Sequence, residues 1–449
     1  MNVTVVGGGL AGSEAAWALA ERGFQVTLYE MRPGTRTAAH HTDRLAEIVC
    51  SNSFKSVELT NAHGLLKAEL RALGSILLPC ADQARVPGGA ALAVDRELFS
   101  QAVHQRVTAH PNVTLVREEV AELPSPAVIA TGPLTSERLT GAMGARLGSS
   151  ALAFYDAIAP VVSAESLDAD RVYARSRYGK GEGDDYLNAP MDAVTYERFI
   201  DALVEADQFH GHEFDAVPYF EGCLPVEEMA RRGRETLRFG PMKPVGLADP
   251  RTGREPYAVV QLRREDRAGQ MWNLVGFQTR LRVPEQQRVF RMIPGLESAE
   301  FLRYGSIHRN SYLNSPASLG PGLTARDDDQ LFFAGQITGV EGYTESLGTG
   351  IMAGINLARR LSGEPIVVPP PTTMLGGLYR YLREADPKHF QPMNANFGLL
   401  EPLGQRGGGV AGRMSKDRKK ELLVERAQAD FGTWMDIVGI ASALQGSRE

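Results

Sequence analysis

The chain reads as an α/β protein. A Rossmann-like dinucleotide-binding domain, split in sequence, carries an inserted α+β domain. Three observations lead there. The N-terminal stretch "NVTVVGGGLAGSEAAWALAERGFQVTLYEMR" runs strand, glycine turn, helix, strand. A second strand–glycine–helix pattern returns near the other end, in "DDQLFFAGQITGVEGYTESLGTGIMAGINLARRLSG". Between the two lies a stretch with apolar segments of its own, some of them alternating as half-buried strands do.

Taken in order, Val3, Val5 and Val6 make a short apolar strand. Gly7, Gly9 and Gly12 then complete G-x-G-x-x-G, with Gly8, Leu10 and Ala11 filling the motif. The first glycine permits the tight turn, the second admits a pyrophosphate, and the third lets helix and strand pack closely. Ala15 to Glu21 is rich in helix formers, and Gly23 ends the helix. "FQVTLYE" is the second strand, and Glu30 falls at its carboxyl end, 18 residues after Gly12. An acid at that place binds an adenosine ribose. Strand, fingerprint, helix, strand and terminal acid together specify a dinucleotide site.

Two later pieces choose the dinucleotide. "PAVIATGPL" is a strand, Val128 to Ala130, that runs into Thr131 and Gly132 and resembles the ATG segment of two-dinucleotide-domain flavoproteins. Leu331 to Ala334 is a strand followed by Gly335, Gly339 and Gly342, then by a small-residue helix from about Ser346 to Arg360. Amides at that helix start are expected to face a flavin. Such a unit closes the FAD site of flavoproteins and is missing from simple dehydrogenases, so FAD is the expected cofactor. The competing structural reading is a second crossover packed through Gly and Ala.

The expected domains are 1–150 with 300–443 for FAD, 151–299 as the inserted substrate-facing domain, and 444–449 as a frayed tail. Within the insert, "ALAFYDAIAPVVS", "RVYARSRYG", "YAVVQLRRE" and "MWNLVGFQTRL" are strand-like, and the glycines of "GKGEGDDYLNAPM" mark a turn. Thr195 to Asp207 is an amphipathic helix with Tyr196, Phe199, Ile200 and Leu203 inward. The Pro-rich "GEPIVVPPPTTMLGGL" ends the late helix and leads into a helical C-terminal part.

With 449 residues, 43% hydrophobic and 23% charged, the composition is that of an ordinary globular protein. No run reaches the ~20 apolar residues that span a bilayer, and "MNVTVVGGG" lacks a basic leader, so a cytoplasmic protein is expected. A net charge of -6 argues against a general nucleic-acid coat. Locally the balance reverses: Ala230 to Arg291 carries 14 Arg or Lys against 6 Asp or Glu. That excess is either a solvated face or a surface for phosphates. A second cluster holds Arg413, Lys416, Arg418, Lys419 and Lys420.

Three cysteines make no disulfide framework. Neither zinc spacing nor C-x-x-C is present, so no metal is expected. Cys50 lies in "LAEIVCSNSF", Cys223 in "YFEGCLPVEE" and Cys80 in "SILLPCADQARVPGG". Each has a structural reading as a small buried hydrophobe. Cys223 also sits on or beside a loop, between Gly222 and Pro225, where a thiolate nucleophile becomes plausible if Arg231, Arg232 and Arg234 lower its pKa.

The segments "VVGGGLAGSEAAWALAERGFQVTLYEMRP", "LAEIVCSNSF", "PYFEGCLPVEEMARRGRETLRFGPMKPVGL", "GSIHRNSYLNSP" and "FFAGQITGVEGYTESLGTGIMAGINLA" closely resemble the bacterial folate- and FAD-dependent tRNA (uracil-5-)-methyltransferase family. The resemblance spans nearly the whole chain. It implies formation of 5-methyluridine at position 54 of the tRNA T loop, with carbon from 5,10-methylenetetrahydrofolate and electrons from NADPH or NADH. It implies that reduced FAD carries the methylene to uracil and then reduces it to methyl. It implies that Cys223 adds to uracil C6 and that Cys50 is a second essential thiol near the flavin, serving proton transfer or assisting the transfer. The division of roles between the two stays open. The T-loop uridine must be exposed for reaction. No protein partner is implied, and a monomer is expected. The competing readings are the related FAD- and folate-dependent wobble-uridine enzyme, a small-molecule flavin oxidoreductase, and a non-enzymatic flavoprotein scaffold.

Overall fold

The computed structural model describes residues 1–37, 39–148, 152–209, 224–403 and 415–440, with the side chains of 152–156 and 307–309 left aside. The sequence pattern becomes two six-stranded sheets. The first runs, in order, Thr324–Ala325, Asp328–Phe333, Ala127–Ile129, Asn2–Val6, Gln25–Tyr29 and Val113–Val116. All its neighbours pair in parallel except the Thr324–Ala325 edge. Val3, Val5, Val6, Val128 and Ile129 are buried, as central parallel strands covered on both faces require.

The fingerprint helix spans Leu10–Ala20, and Gly23, at φ +83°, turns the chain back toward the second strand. The late helix begins at Tyr343, three residues before the expected start, and runs to Leu361. These two helices lie close because glycine faces backbone. A Cβ on Gly350 would come within 2.3 Å of the Ala11 carbonyl oxygen, and one on Gly354 within 2.7 Å of the Ala15 carbonyl oxygen.

The second sheet is antiparallel and runs Tyr173–Ala174, Tyr186–Met191, Ala258–Arg264, Met271–Leu274, Val161–Ser163 and Phe301–Arg303. The Ala193–Glu205 helix packs there, with Tyr196, Phe199, Ile200 and Leu203 all buried as the spacing predicts. Two expectations need revision. "RVYARSRYG" gives a strand only at Tyr173–Ala174 before a short 3-10 turn. The strand Tyr186–Met191 arises from "YLNAPM", in a stretch whose glycines predict only a turn. Two separate apolar clusters of buried residues accompany the two sheets. Leu152–Ile158 pairs with Ser306–Tyr312 as a separate two-stranded ribbon. The tail 444–449 lies outside the described residues.

Candidate active site

The carboxyl ends of the parallel strands open onto a cleft with about 1050 Å³ of empty space, its open mouth included. Gly7, Gly9, Leu10, Ala11, Glu30, Gly132 and Gly335 line it. Gly7 sits at φ +101°, where a Cβ would come within 2.6 Å of the Ala130 carbonyl oxygen. A Cβ on Gly9 would meet nothing within 4 Å, which leaves room for a ligand against the backbone. The other four predicted positions stand behind the wall. Gly12 would strike the Gly7 carbonyl oxygen at 1.8 Å, so it sets the helix–strand contact. Gly8 gives its N–H to Glu30 Oε2 at 3.0 Å. Gly339 abuts the Phe390 ring, and Gly342, at φ +120°, leads into the Tyr343 helix.

A pyrophosphate-bearing dinucleotide such as FAD fits these residues. Neither the Leu10 helix nor the Tyr343 helix has a side-chain cap, so their first-turn N–H groups lack side-chain acceptors. Leu10, Ala11, Tyr343 and Ser346, from those first turns, line the cleft. Two helix N-termini over a glycine floor favour an anion.

Glu30 is more engaged than its position in sequence suggests. Its carboxylate accepts from Gly8 N, and from Arg32 N, Nε and Nη2 at 3.0, 2.9 and 3.2 Å. Arg32 also binds Glu47 at 2.9 Å. Burial pushes the Glu30 carboxyl up, but Arg32 and the Gly8 N–H outweigh it and hold it below the usual carboxylate range. Beside it, burial and then Arg32 lower the His40 imidazole to about 4, so His40 is neutral at pH 7.

Cys50 lies on a loop that three side chains pin. The Tyr343 hydroxyl accepts the Cys50 and Ser51 N–H groups, each at 3.1 Å, and donates to the Ser51 carbonyl at 2.8 Å. Arg96 donates to the Ile48 and Cys50 carbonyls at 2.7 and 3.0 Å. The Asn52 amide donates to Val94 O and Arg264 O, and its oxygen accepts Arg263 Nε at 2.8 Å. Adjacent residues of this loop face two different spaces: Val49 lines the dinucleotide cleft, whereas Cys50 and Ser51 line a second, polar cleft. That second cleft holds about 400 Å³ of empty space and is completed by Arg263, Asn273, Gln278 and their neighbours.

A compact charge cluster underlies the loop. Glu265 is buried and paired with Arg96 at 2.5 Å. Burial raises the Glu265 carboxyl, yet Arg96, Arg303 and Arg263 together bring it below the usual range. Arg303 Nε and Nη2 are buried and have no hydrogen-bond partner among the described residues. Burial, then repulsion from Arg96, lowers its guanidinium to about 10. Three arginines around one carboxylate leave a positive excess beside Cys50.

Of the other cysteines, Cys80 is fully buried in the Leu77–Gln83 helix, and burial raises its thiol. It fits the structural reading. Cys223 lies outside the described residues, as does Arg413. Just beyond Cys223 in sequence, Val226 N–H donates to Gln278 O at 2.7 Å, at the edge of the polar cleft.

The Arg-rich stretch is less available to phosphates than its charge count implies. Arg234 is held by Glu197 and Asp201, Arg282 by Asp207, Arg251 by Asp249 and Arg288 by Glu285. Several of these acids lie outside 230–291, where a windowed charge count does not see them. Sequence reasoning also passed over Tyr343, Arg96, Glu265, Arg263 and Asn273. Of these, Tyr343 lies within the late glycine-rich segment itself, directly after Gly342.

A family model described as glucose inhibited division protein A matches residues 2–365. A Geobacter sulfurreducens protein named methylenetetrahydrofolate–tRNA-(uracil-5-)-methyltransferase TrmFO is 57% identical over 438 residues, covering 97% of this chain and 99% of its own. A Thermus thermophilus protein of the same name is 55% identical over 435 residues, covering 97% and 96%. Among solved structures, Aquifex aeolicus GidA aligns with a TM-score of 0.66 at 17% identity, covering 96% of this chain and 73% of that one, a likeness of fold.

Proposed function

The chain belongs to the methylenetetrahydrofolate–tRNA-(uracil-5-)-methyltransferase family, within the glucose inhibited division protein A group, and from this membership we propose that it forms 5-methyluridine at position 54 of the tRNA T loop. The methyl carbon comes from 5,10-methylenetetrahydrofolate and the reducing equivalents from NADPH or NADH. The observation that carries the reading is the 49–51 loop, which walls the dinucleotide cleft on one side and a polar, cationic cleft with a thiol on the other.

FAD, when bound, supplies redox chemistry and relays the one-carbon unit. Gly7, Gly9, Leu10, Ala11, Glu30, Gly132 and Gly335 would hold it, with Gly8, Gly12, Gly339 and Gly342 shaping the backbone behind them. Uracil C5 is a poor nucleophile until a group adds at C6. The Cys223 thiolate adds there, the C5=C6 electron pair moves toward C4–O4, and C5 becomes nucleophilic. After C5 has taken the carbon it must lose its proton before the C6–S bond can break. We assign that proton to Cys50, the thiol fixed beside both clefts. Buried guanidiniums stabilise charge developing on the uracil oxygens.

Residues 1–150 and 300–443 make the FAD-binding part and 151–299 the part that faces tRNA. No helix among the described residues is long and apolar enough to cross a membrane. We place the protein in the cytoplasm as a monomer. The test is nucleoside analysis of an unmodified tRNA transcript incubated with the protein, FAD, the folate and NADPH. 5-Methyluridine at 54, absent with Cys223→Ala and with a transcript carrying cytidine at 54, supports the proposal. Modification at the wobble position, or NADPH oxidation with no RNA product, overturns it.

A further inference from the structure

We propose that the 400 Å³ polar cleft beside Cys50 seats the target pyrimidine ring, with Arg263 and Asn273 reading its O4–N3 edge. The inference rests on the tRNA (uracil-5-)-methyltransferase reading and deepens it. Arg263 and Asn273 are direct cross-strand partners on the Ala258–Arg264 and Met271–Leu274 strands. Cross-strand partners project on the same face with Cβ atoms roughly 5 Å apart, so the guanidinium and the amide stand side by side along one wall of the cleft. Both side chains line the cleft, at only 8% and 3% exposure.

Neither is consumed by the fold. Arg263 uses Nε on Asn52, at 2.8 Å, and also reaches the Tyr186 hydroxyl, which leaves further guanidinium N–H groups for a ligand. The Asn273 amide makes one long bond, from Nδ2 to Pro160 O at 3.5 Å, and its oxygen accepts from none of the described residues. Their remaining polar groups open into the cleft, where water serves them until a ligand takes its place. The row they offer is a cationic donor beside an amide that can accept and donate. Uracil presents the complement: an O4 acceptor, an N3–H donor and an O2 acceptor. Cytosine places an amino donor where O4 would be, against the Arg263 donors, and leaves them unpaired.

The same contact serves the chemistry. When sulfur bonds to C6, the C5=C6 pair is delocalised through C4 onto O4, and no atom leaves at that stage. A guanidinium at O4 is therefore a better partner for the adduct than for the ground-state base. Arg263 sits in the cluster where Glu265 faces three arginines, so the cleft keeps a positive excess to meet that charge.

The test replaces single atoms of the base. T-arm RNAs carrying uridine, 4-thiouridine or 2-thiouridine at position 54 are assayed for kcat/KM with wild type, Arg263→Gln and Asn273→Leu. Sulfur at C4 is a poor acceptor but still takes up the electron pair. We expect wild type to lose roughly 10- to 100-fold on 4-thiouridine and much less on 2-thiouridine. Arg263→Gln should be about 100-fold slower on uridine, with no further loss on 4-thiouridine. Asn273→Leu should be slower yet keep the 4-thio penalty, because Arg263 remains. Flavin content and folate affinity should stay at wild-type levels. If wild type accepts 4-thiouridine as well as uridine, or if the Arg263→Gln and 4-thio losses multiply, the assignment of Arg263 is overturned. A loss of folate affinity in Arg263→Gln instead gives the cleft to folate and overturns the proposal. Failure of wild type to methylate uridine 54 at all would overturn the functional reading, a different result from any of these.

Discussion

Replacing Arg96 by methionine should both destabilise the protein and disable it, through the loop that carries Cys50. The guanidinium binds Glu265 at 2.5 Å and the carbonyls of Ile48 and Cys50 at 2.7 and 3.0 Å. Methionine keeps the stem but removes the ion pair that holds buried Glu265, leaving it only the more distant Arg303 and Arg263, and leaves two loop carbonyls without a charged donor. Breaking a buried ion pair from one side costs about 3–5 kcal/mol, and the lost carbonyl bonds fall within that range because the three contacts share one side chain. Urea unfolding of the FAD-loaded protein measures it. The Arg96→Met/Glu265→Leu double variant should lose about 2 kcal/mol less than the sum of the single losses, because contacting charges couple. Methylation should drop roughly 100-fold in Arg96→Met, the usual cost of a reacting group misplaced by an ångström. A variant within about 0.5 kcal/mol of wild type, or a double variant whose loss equals the sum, would refute the idea that this pair fixes the loop.

Three further outcomes are expected. Tyr343→Phe deletes the hydroxyl that serves Cys50 N, Ser51 N and Ser51 O; flavin should be retained while kcat falls at least about 10-fold, read by flavin absorbance and single-turnover methylation. Gly12→Ala forces a Cβ to within 1.8 Å of the Gly7 carbonyl oxygen, so the purified protein should carry little FAD, and full flavin content would count against the packing role. The third concerns pH. Glu69 accepts the N–H groups of Met374 and Leu375, and burial raises its carboxyl from 4.5 to about 8. A raised folded-state pKa means that the folded protein holds the proton more tightly. This group's contribution is therefore present below pH 4.5 and is lost as pH climbs through about 8. Glu69→Gln should flatten the decline of the urea midpoint between pH 5 and 8, and an unchanged slope would contradict it.

The parts of the fold set by local rules were readable from the chain. The glycine fingerprint, its helix and the two flanking strands formed where expected, because the strand–turn–helix order is encoded in one continuous stretch, with Gly12 packed on the Gly7 carbonyl five positions earlier. The Tyr196, Phe199, Ile200 and Leu203 stripe was readable for the same reason, as helical spacing puts those residues on one face. The second cleft was not readable. Arg263 and Asn273 meet only through strand register, and Arg96 reaches Glu265 across 169 positions of sequence. The first pair is ten positions apart but is aligned only once the two strands pair, and no local window contains the second. Long-range pairing also hid how the arginines are used. Arg234 answers Glu197 and Asp201 more than thirty positions upstream, so part of what reads as a basic surface is exposed ion pairing with acids elsewhere in the chain.

The central claim is that the folate carbon reaches uridine 54 in a site built around the two clefts. It is tested most directly with 5,10-methylenetetrahydrofolate labelled with carbon-13 at the methylene. The protein is incubated with this folate, FAD, NADPH and an unmodified transcript, with unlabelled S-adenosylmethionine present, and the nucleosides are read by mass spectrometry. Carbon-13 in 5-methyluridine, mapped to position 54 and dependent on FAD, is the expected result. An unlabelled methyl group at 54, or label at another nucleoside, would contradict the account.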